Sequence, residues 1–118
     1  MVQNNVLAEK SIDFGVRMIK CYQFLCKEKK EYIISKQIYR SGTSIGANIH
    51  EGIYAQSKPD FLSKLGIALK EAGETSYWLR LLYRTEYIEE NVFSSLYKDC
   101  EELIKILTAT IKSSKDNA

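Results

Sequence analysis

Apolar and small residues recur along the chain at alternating steps of three and four, the spacing that places side chains on one face of an α-helix. In the first segment the recurring positions are Leu7, Ser11, Phe14, Met18, Cys21 and Leu25. In the third segment they are Leu62, Leu65, Leu69, Ala72, Ser76, Leu79 and Tyr83. With similar runs in the second and fourth segments, the pattern predicts helices over about residues 5–29, 31–57, 59–86 and 91–113.

The connections between these helices are too short to cross the length of a bundle, so each helix must run antiparallel to the one before it. Ser57 or Lys58 is the expected cap of the third helix, because Pro59 suits a first helical turn and Asp60 suits its positive end. The predicted fold is an all-α, antiparallel up-and-down four-helix bundle that forms one domain over residues 1–118.

Composition agrees with a folded helical chain, since 45% of its residues are hydrophobic, 27% are charged, and only one is proline. Three cysteines without a CxxC pair indicate reduced thiols rather than a disulfide framework or a zinc site. The sequence shows neither a signal peptide nor the roughly 20 apolar residues that span a bilayer. We therefore expect a cytoplasmic location and no membrane partner.

The second helix carries a polar stripe beside its apolar one. The stripe consists of Gln37, Ser41, Ser44, Asn48 and Glu51, and with Arg40 and Gly52 it forms a structural polar motif. Glycines 42, 46 and 52 each cost a helix roughly 1 kcal/mol relative to alanine, which predicts the close approach of a neighbouring helix. The stripe is either a ligand or active site, or a hydrogen-bonded network that fixes helix register. We favour the network, because no nucleophile accompanies the stripe.

Catalytic and metal chemistry have little support in the residues. His50 is the only histidine, whereas a ferritin-like di-iron bundle needs Glu-x-x-His on two helices. We expect no metal, no cofactor, no small-molecule substrate and no enzymatic activity. The remaining enzymatic alternative is a hydrolase that uses Glu51 with Glu71 or Glu74, which requires a cleft that raises one carboxyl pKa.

Two groups of basic residues are candidates for nucleic-acid binding. Lys10, Arg17, Lys20 and Lys27 are spaced seven, three and seven apart, which predicts one outer face of the first helix, although such a stripe is also typical of a solvated surface. Arg80 and Arg84 lie one turn apart among aromatic residues, and this combination suits either stacking on bases or a protein interface.

Eight tyrosines and one tryptophan exceed what the core of a small bundle can bury with every polar end satisfied. Aromatic side chains are enriched at subunit contacts. The composition therefore predicts a homo-oligomer.

One stretch of the second helix carries a family resemblance. It reads Ser44-Ile45-x-Ala47-Asn48-Ile49-x-Glu51-Gly52, is preceded by Gln37-Ile38-x-Arg40-Ser41, and is followed by Phe61, Leu65, Ile67, Ala68, Glu71 and Glu74. With these residues the chain resembles the bacterial four-helix-bundle proteins encoded in intervening sequences of 23S ribosomal RNA genes, which are often labelled ribosomal-protein-like.

The resemblance implies an up-and-down bundle that assembles as a homopentamer, with kinship to the accessory protein of diversity-generating retroelements, which binds nucleic acid and a reverse transcriptase. The resulting expectation is a non-enzymatic oligomeric bundle that binds structured RNA or a nucleoprotein through a basic face. The alternative is a protein–protein adaptor with no nucleic-acid role.

Overall fold

The computed structural model describes residues 2–117 of the chain, and within that range the secondary structure is helical. The helices are α1 (Val2–Glu28), α2 (Ile34–Ile53), α3 (Lys58–Arg84) and α4 (Glu90–Asp116). Consecutive helices pack side by side and α4 returns to α1, so the four stand at the corners of a square. The bundle measures 47 × 21 × 19 Å. The predicted all-α, antiparallel four-helix bundle is confirmed.

All four helices contribute to one hydrophobic core. On α1 the six predicted positions are all buried. On α3 every second predicted core position is wrong by one residue. The buried side chains are Leu65, Ala68, Ala72, Thr75, Leu79 and Leu82. Apolar and small residues surround much of α3, so periodicity alone does not separate two adjacent faces.

The start of α2 is set by Glu31, which precedes the helix instead of opening it. The Glu31 carboxylate accepts hydrogen bonds from the backbone N–H groups of Ile33 at 3.1 Å, Ile34 at 3.0 Å and Ser35 at 2.7 Å. These donors have no partner within a helix, so a carboxylate at this end stabilises it. The predicted start at residue 31 is therefore three residues early.

The start of α3 is set by Ser57, which also lies beyond the end of α2. Its backbone is extended (φ −152°, ψ 164°) and its hydroxyl accepts a hydrogen bond from the Asp60 N–H at 3.2 Å, which confirms Ser57 as the cap. A residue with this backbone cannot end a helix that began at Ile34. The predicted end of α2 at residue 57 is therefore wrong, and the helix ends at Ile53 with Tyr54 as its cap.

A tight turn separates α3 from α4. Glu86 adopts a left-handed backbone (φ 66°), and the Tyr87 N–H donates to the Leu82 carbonyl at 2.9 Å. This geometry closes α3 at Arg84, two residues before the predicted end, and α4 then runs from Glu90 to Asp116 rather than 91–113. In the described part of the chain, no helix is both long and apolar enough to cross a membrane.

Candidate nucleic-acid interface and polar motif

The basic stripe of α1 divides into two pairs with different surroundings. Lys10 Nζ lies 3.2 Å from Glu102 Oε1, and Arg17 Nη1 lies 2.6 Å from Asp99 Oδ2, so both cations pair with α4. Lys20 and Lys27 are exposed. We expected all four residues on one outer face of α1. In the structure, two of the four lie at the seam between α1 and α4.

The second basic group occupies a different side of the molecule. Arg80 and Arg84 are exposed on α3, as is Tyr77 with 55% of its surface accessible. Because α1 and α3 each pack against α2 and α4, they stand at diagonal corners of the square. The structure therefore does not bring the α3 arginines together with the lysines of α1.

The buried part of the polar motif joins α2 to α3. Ser41 and Thr75 are both inaccessible to solvent, and their hydroxyl oxygens lie 2.9 Å apart. The Thr75 hydroxyl is also 2.8 Å from the Glu71 carbonyl oxygen. Buried hydroxyls that find partners in this way hold two helices in one register.

A second network lies above these hydroxyls at the surface. Arg40 donates to both carboxylate oxygens of Glu71, at 3.1 and 3.3 Å, and to Glu74 Oε2 at 2.6 Å. The Trp78 indole N–H donates to the same Glu74 oxygen at 2.9 Å. The Trp78 hydrogen bond, together with Arg40, lowers the pKa of Glu74 below its ordinary value of 4.5. Glu74 is thus held as a carboxylate.

The other residues of the motif make local contacts. Asn48 donates to the Ser44 carbonyl at 2.9 Å, Glu51 pairs with Lys64 across 3.2 Å, and Gln37 is exposed. None of these side chains converges on another as a catalytic pair would.

The glycines of α2 meet their neighbours at different distances. A Cβ added at Gly42 would lie 2.6 Å from Met18 Sδ, and one added at Gly46 would lie 3.2 Å from Ser11 Oγ. At Gly52 the nearest atom, Lys64 Cβ, would be 3.4 Å away, an ordinary contact. Close helix approach therefore explains Gly42 and, more weakly, Gly46.

The carboxylates required by the hydrolase alternative do not meet. Glu51 lies beside Lys64, whereas Glu71 and Glu74 lie beside Arg40. Positions 40 and 51 are separated by roughly 16 Å along a helix that rises 1.5 Å per residue. A shallow depression of about 430 Å³ borders Glu51, but the residues lining it include neither Glu71 nor Glu74.

Metal-ligating side chains are dispersed. Across the described residues, no group of three or more His, Cys, Asp and Glu side chains is placed to hold an ion. Burial raises the pKa of Cys21 to about 11 and that of Cys100 to about 12, so both thiols stay neutral. His50 Nδ1 lies 2.7 Å from the Gly46 carbonyl oxygen, an interaction within its own helix.

Sequence reasoning missed the partners that α4 supplies to α1. Asp99 and Glu102 are three residues apart, so both project from one face of α4, and this spacing was the available signal. Pairing them with Lys10 and Arg17 requires knowing that α1 and α4 are neighbours.

Comparison with known proteins places the chain in a family. Residues 3–109 match the family described as 23S rRNA-intervening sequence protein. A crystal structure from Bacteroides thetaiotaomicron, described as a protein with unknown function from the S23 ribosomal protein family, is 55% identical in sequence. It superposes with a TM-score of 0.92, and the match covers 93% of this chain and 98% of the other.

Neither description names an enzymatic activity. Among curated proteins, none matches the chain. The family match spans most of the sequence. The protein of the crystal structure is identical to this chain at more than half of the matched positions. The chain belongs to the 23S rRNA-intervening sequence protein family.

Proposed function

We propose that this protein is a non-enzymatic, self-associating bundle that binds structured RNA, alone or within a nucleoprotein, through the exposed basic residues at the C-terminal end of α1. The observation that carries the proposal is the exposure of Lys20 and Lys27 together with Lys29 and Lys30. The family description, which refers to 23S rRNA, supports RNA as the partner.

Among the residues of the predicted stripe, we expect Lys20 and Lys27 to contribute most to RNA binding. Lys10 and Arg17 already neutralise carboxylates of α4, so transferring them to phosphates would require breaking two ion pairs. Lys20 and Lys27 have no such acidic partner among the ion pairs of the described residues. Cations of this kind release counterions from a phosphate backbone when they bind it.

The test is the salt dependence of binding to a 23S rRNA fragment, measured by fluorescence anisotropy at 50–200 mM KCl. Replacing Lys20 and Lys27 with glutamate should weaken binding and reduce the log–log salt slope by about 2, one for each lost phosphate contact. Lys105 and Lys112 are a matched control, because they are exposed and seven residues apart on α4. Replacing these two control lysines with glutamate should leave the log–log salt slope of RNA binding nearly unchanged. Equal effects of the two pairs, or a slope near zero for the unmodified protein, would refute the proposal.

Self-association has its own structural support on α1. Ile12, Val16 and Ile19 follow the i, i+4, i+7 spacing of one helix face, and 45%, 46% and 40% of their surfaces are exposed. A row of exposed aliphatic side chains suits contact with another copy. The resemblance noted above makes the expected assembly a pentamer.

Light scattering at micromolar concentration tests this part separately. We expect a mass of five chains for the unmodified protein and a smaller assembly for Val16→Glu. Ile67→Glu is the control, since Ile67 is 39% exposed but lies on α3. A monomer mass for the unmodified protein contradicts the assembly while leaving RNA binding open to its own test.

A protein–protein adaptor is the second candidate, supported by the α3 surface. Tyr77, Arg80 and Arg84 are exposed on a side of the bundle away from the α1 lysines. Tyrosine and arginine are enriched in protein interfaces. Purification from native cells with and without nuclease separates the candidates, because an adaptor should retain its partner after nuclease treatment and an RNA-mediated complex should not.

A further inference from the structure

The seam between α1 and α4 opens into a cleft near the end of the bundle that carries the α3–α4 turn. Its volume is about 760 Å³, inside the range of about 300–1,000 Å³ found for small-molecule sites. The lining residues come from 17–29 and from 83–96. Because these segments are distant in sequence, no pattern along the chain predicts the cleft.

The floor of the cleft is apolar. Cys21, Ile88 and Leu96 line it and are 8%, 5% and 3% exposed. Phe24 and Val92 border it on the α1 and α4 sides and are 42% and 43% exposed. Phe24, with Lys29 Nζ 5.9 Å from its ring centre, and Val92 therefore face solvent across a gap that none of the described residues fills. An apolar body entering the gap would remove this surface from water.

Charges of opposite sign occupy opposite walls. Arg17, Lys20 and Lys29 border the cleft on the α1 side, whereas Glu86, Glu89 and Glu90 border it on the side of the turn and α4. Arg17 is neutralised by Asp99, and Glu90 accepts a hydrogen bond from the Tyr83 hydroxyl at 3.5 Å. The two remaining lysines therefore face an acidic wall across an apolar floor.

We infer that this cleft binds a small zwitterionic amphiphile, a molecule with an apolar body and with one positive and one negative group at its polar end. The apolar body covers the floor, the anionic group meets Lys20 and Lys29, and the cationic group meets the glutamates. A ligand with a single charge would pair with either the lysines or the glutamates and would leave the other group without a counter-charge. The cleft shares Lys20 and Lys29 with the proposed RNA surface, but ligand binding is measured without RNA, so the failure of either proposal leaves the other open to its own test.

Three probes that share a decyl chain test the charge requirement. They are a decyl sulfobetaine, decyl sulfate and decyltrimethylammonium, each titrated below its micelle concentration into ¹⁵N-labelled protein. The sulfobetaine should bind with one site per chain and shift amide signals mainly in residues 17–29 and 83–96. It should bind about two- to fivefold more tightly than either charged probe, the ratio expected for one additional solvent-exposed ion pair. Equal affinity for all three probes, or shifts spread over the surface, would overturn the inference.

Two variants test the location. Val92→Trp fills the cleft and should weaken sulfobetaine binding about tenfold, which is the loss of about 1.4 kcal/mol of binding energy. Ile67→Trp makes the same change at a similarly exposed apolar residue on α3 and should leave the affinity unchanged. Circular dichroism confirms that both variants remain folded. Equal affinities for the two variants contradict the site.

Replacing Lys20 and Lys29 with glutamate makes both walls acidic. Sulfobetaine binding should weaken severalfold while decyltrimethylammonium binding strengthens, because each ion pair contributes up to about 1 kcal/mol at an exposed site. If Val92→Trp changes the number of chains in the assembly and leaves probe affinity intact, the cleft is an interface between copies and the ligand proposal fails.

Discussion

At the scale of single residues, Gly42 is the glycine of α2 that lies closest to a side chain of α1. A methyl group at this position would collide with the Met18 side chain, which is itself fully buried. We predict that Gly42→Ala lowers the free energy of unfolding by up to about 2 kcal/mol, because an overpacking cost of about 1–3 kcal/mol exceeds the roughly 1 kcal/mol that alanine gains in helix propensity. Urea denaturation followed by circular dichroism measures this change.

Gly73→Ala is the matched control, because a Cβ at this α3 position has no neighbour within 4 Å. There the substitution should raise the free energy of unfolding by up to about 1 kcal/mol through helix propensity alone. Equal effects of the two substitutions would contradict the close approach at Gly42.

The three thiols should also differ from one another. Cys21 and Cys100 are buried with their pKa values raised to about 11 and about 12, whereas Cys26 is partly exposed. Because the thiolate is the reactive species, we predict that a disulfide reagent at pH 8 modifies one thiol rapidly and the other two only after unfolding in urea. Cys26→Ser should abolish the rapid phase. A rapid phase that survives this substitution would show that a buried thiol is accessible.

At the scale of helices, the contact between α2 and α3 depends on the ionisation of Glu74. Its pKa is lowered in the folded protein, so the carboxylate stabilises the fold above its unfolded pKa of 4.5. That contribution is lost as the pH falls below 4.5 and through the lower folded-state value. Trp78→Phe removes the N–H group that is the first cause of the shift, so it should raise the pKa of Glu74 toward 4.5.

Urea denaturation at pH 6.5 and pH 3 measures the consequence. The stability lost through Trp78→Phe should be larger at pH 6.5 than at pH 3, because pH 3 lies below the unfolded pKa of 4.5 and part of the stability linked to the lowered pKa is absent there. In a Glu74→Gln background the loss should be the same at both pH values, because glutamine does not ionise, and the comparison isolates the contribution of the Glu74 charge. If the stability lost through Trp78→Phe were independent of pH in both backgrounds, the indole N–H would contribute little to the lowered pKa of Glu74.

The helices also show where sequence reasoning succeeds and where it stops. The spacing of apolar residues was sufficient for the four helices and the buried face of α1, because burial along a regular helix is a local property of the pattern. The short connections between the helices were sufficient for the topology. On α3 the spacing of apolar residues predicted Ser76 as a core position, whereas the buried residue is Thr75. The Thr75 hydroxyl pairs with the Ser41 hydroxyl of another helix, which the spacing along α3 does not show. The start of α2 was missed because Glu31 folds back onto the helix it precedes.

The candidate site was predicted less completely for the same reason. Positions such as Lys10 and Lys20 look alike along α1, and only the adjacent helix distinguishes them. Glu102 of α4 neutralises Lys10 and leaves Lys20 exposed. Pairing between helices far apart in sequence is a property of the tertiary arrangement, so a single helical wheel does not contain it.

At the scale of the whole molecule, the seam between α1 and α4 determines which cations are available to a partner. Arg17 and Asp99 are joined at 2.6 Å, with 37% and 42% of their side chains exposed. An ion pair this exposed contributes only about 0.2–1 kcal/mol, and salt screens it. A double-mutant cycle with Arg17→Gln and Asp99→Asn should give a coupling energy in that range at low salt and a smaller one in 1 M NaCl.

The Arg17→Gln substitution also distinguishes a seam between α1 and α4 that stays closed from one that opens when RNA binds. If Arg17 stays with Asp99 in the complex, Arg17→Gln should leave the salt slope of RNA binding unchanged, whereas Lys20→Gln should reduce it by about 1. The two variants remove the same charge three residues apart on one helix, so the comparison isolates the effect of the α4 carboxylate. A slope reduced equally by Arg17→Gln would mean that Arg17 exchanges Asp99 for a phosphate, and that α1 and α4 separate locally when RNA binds.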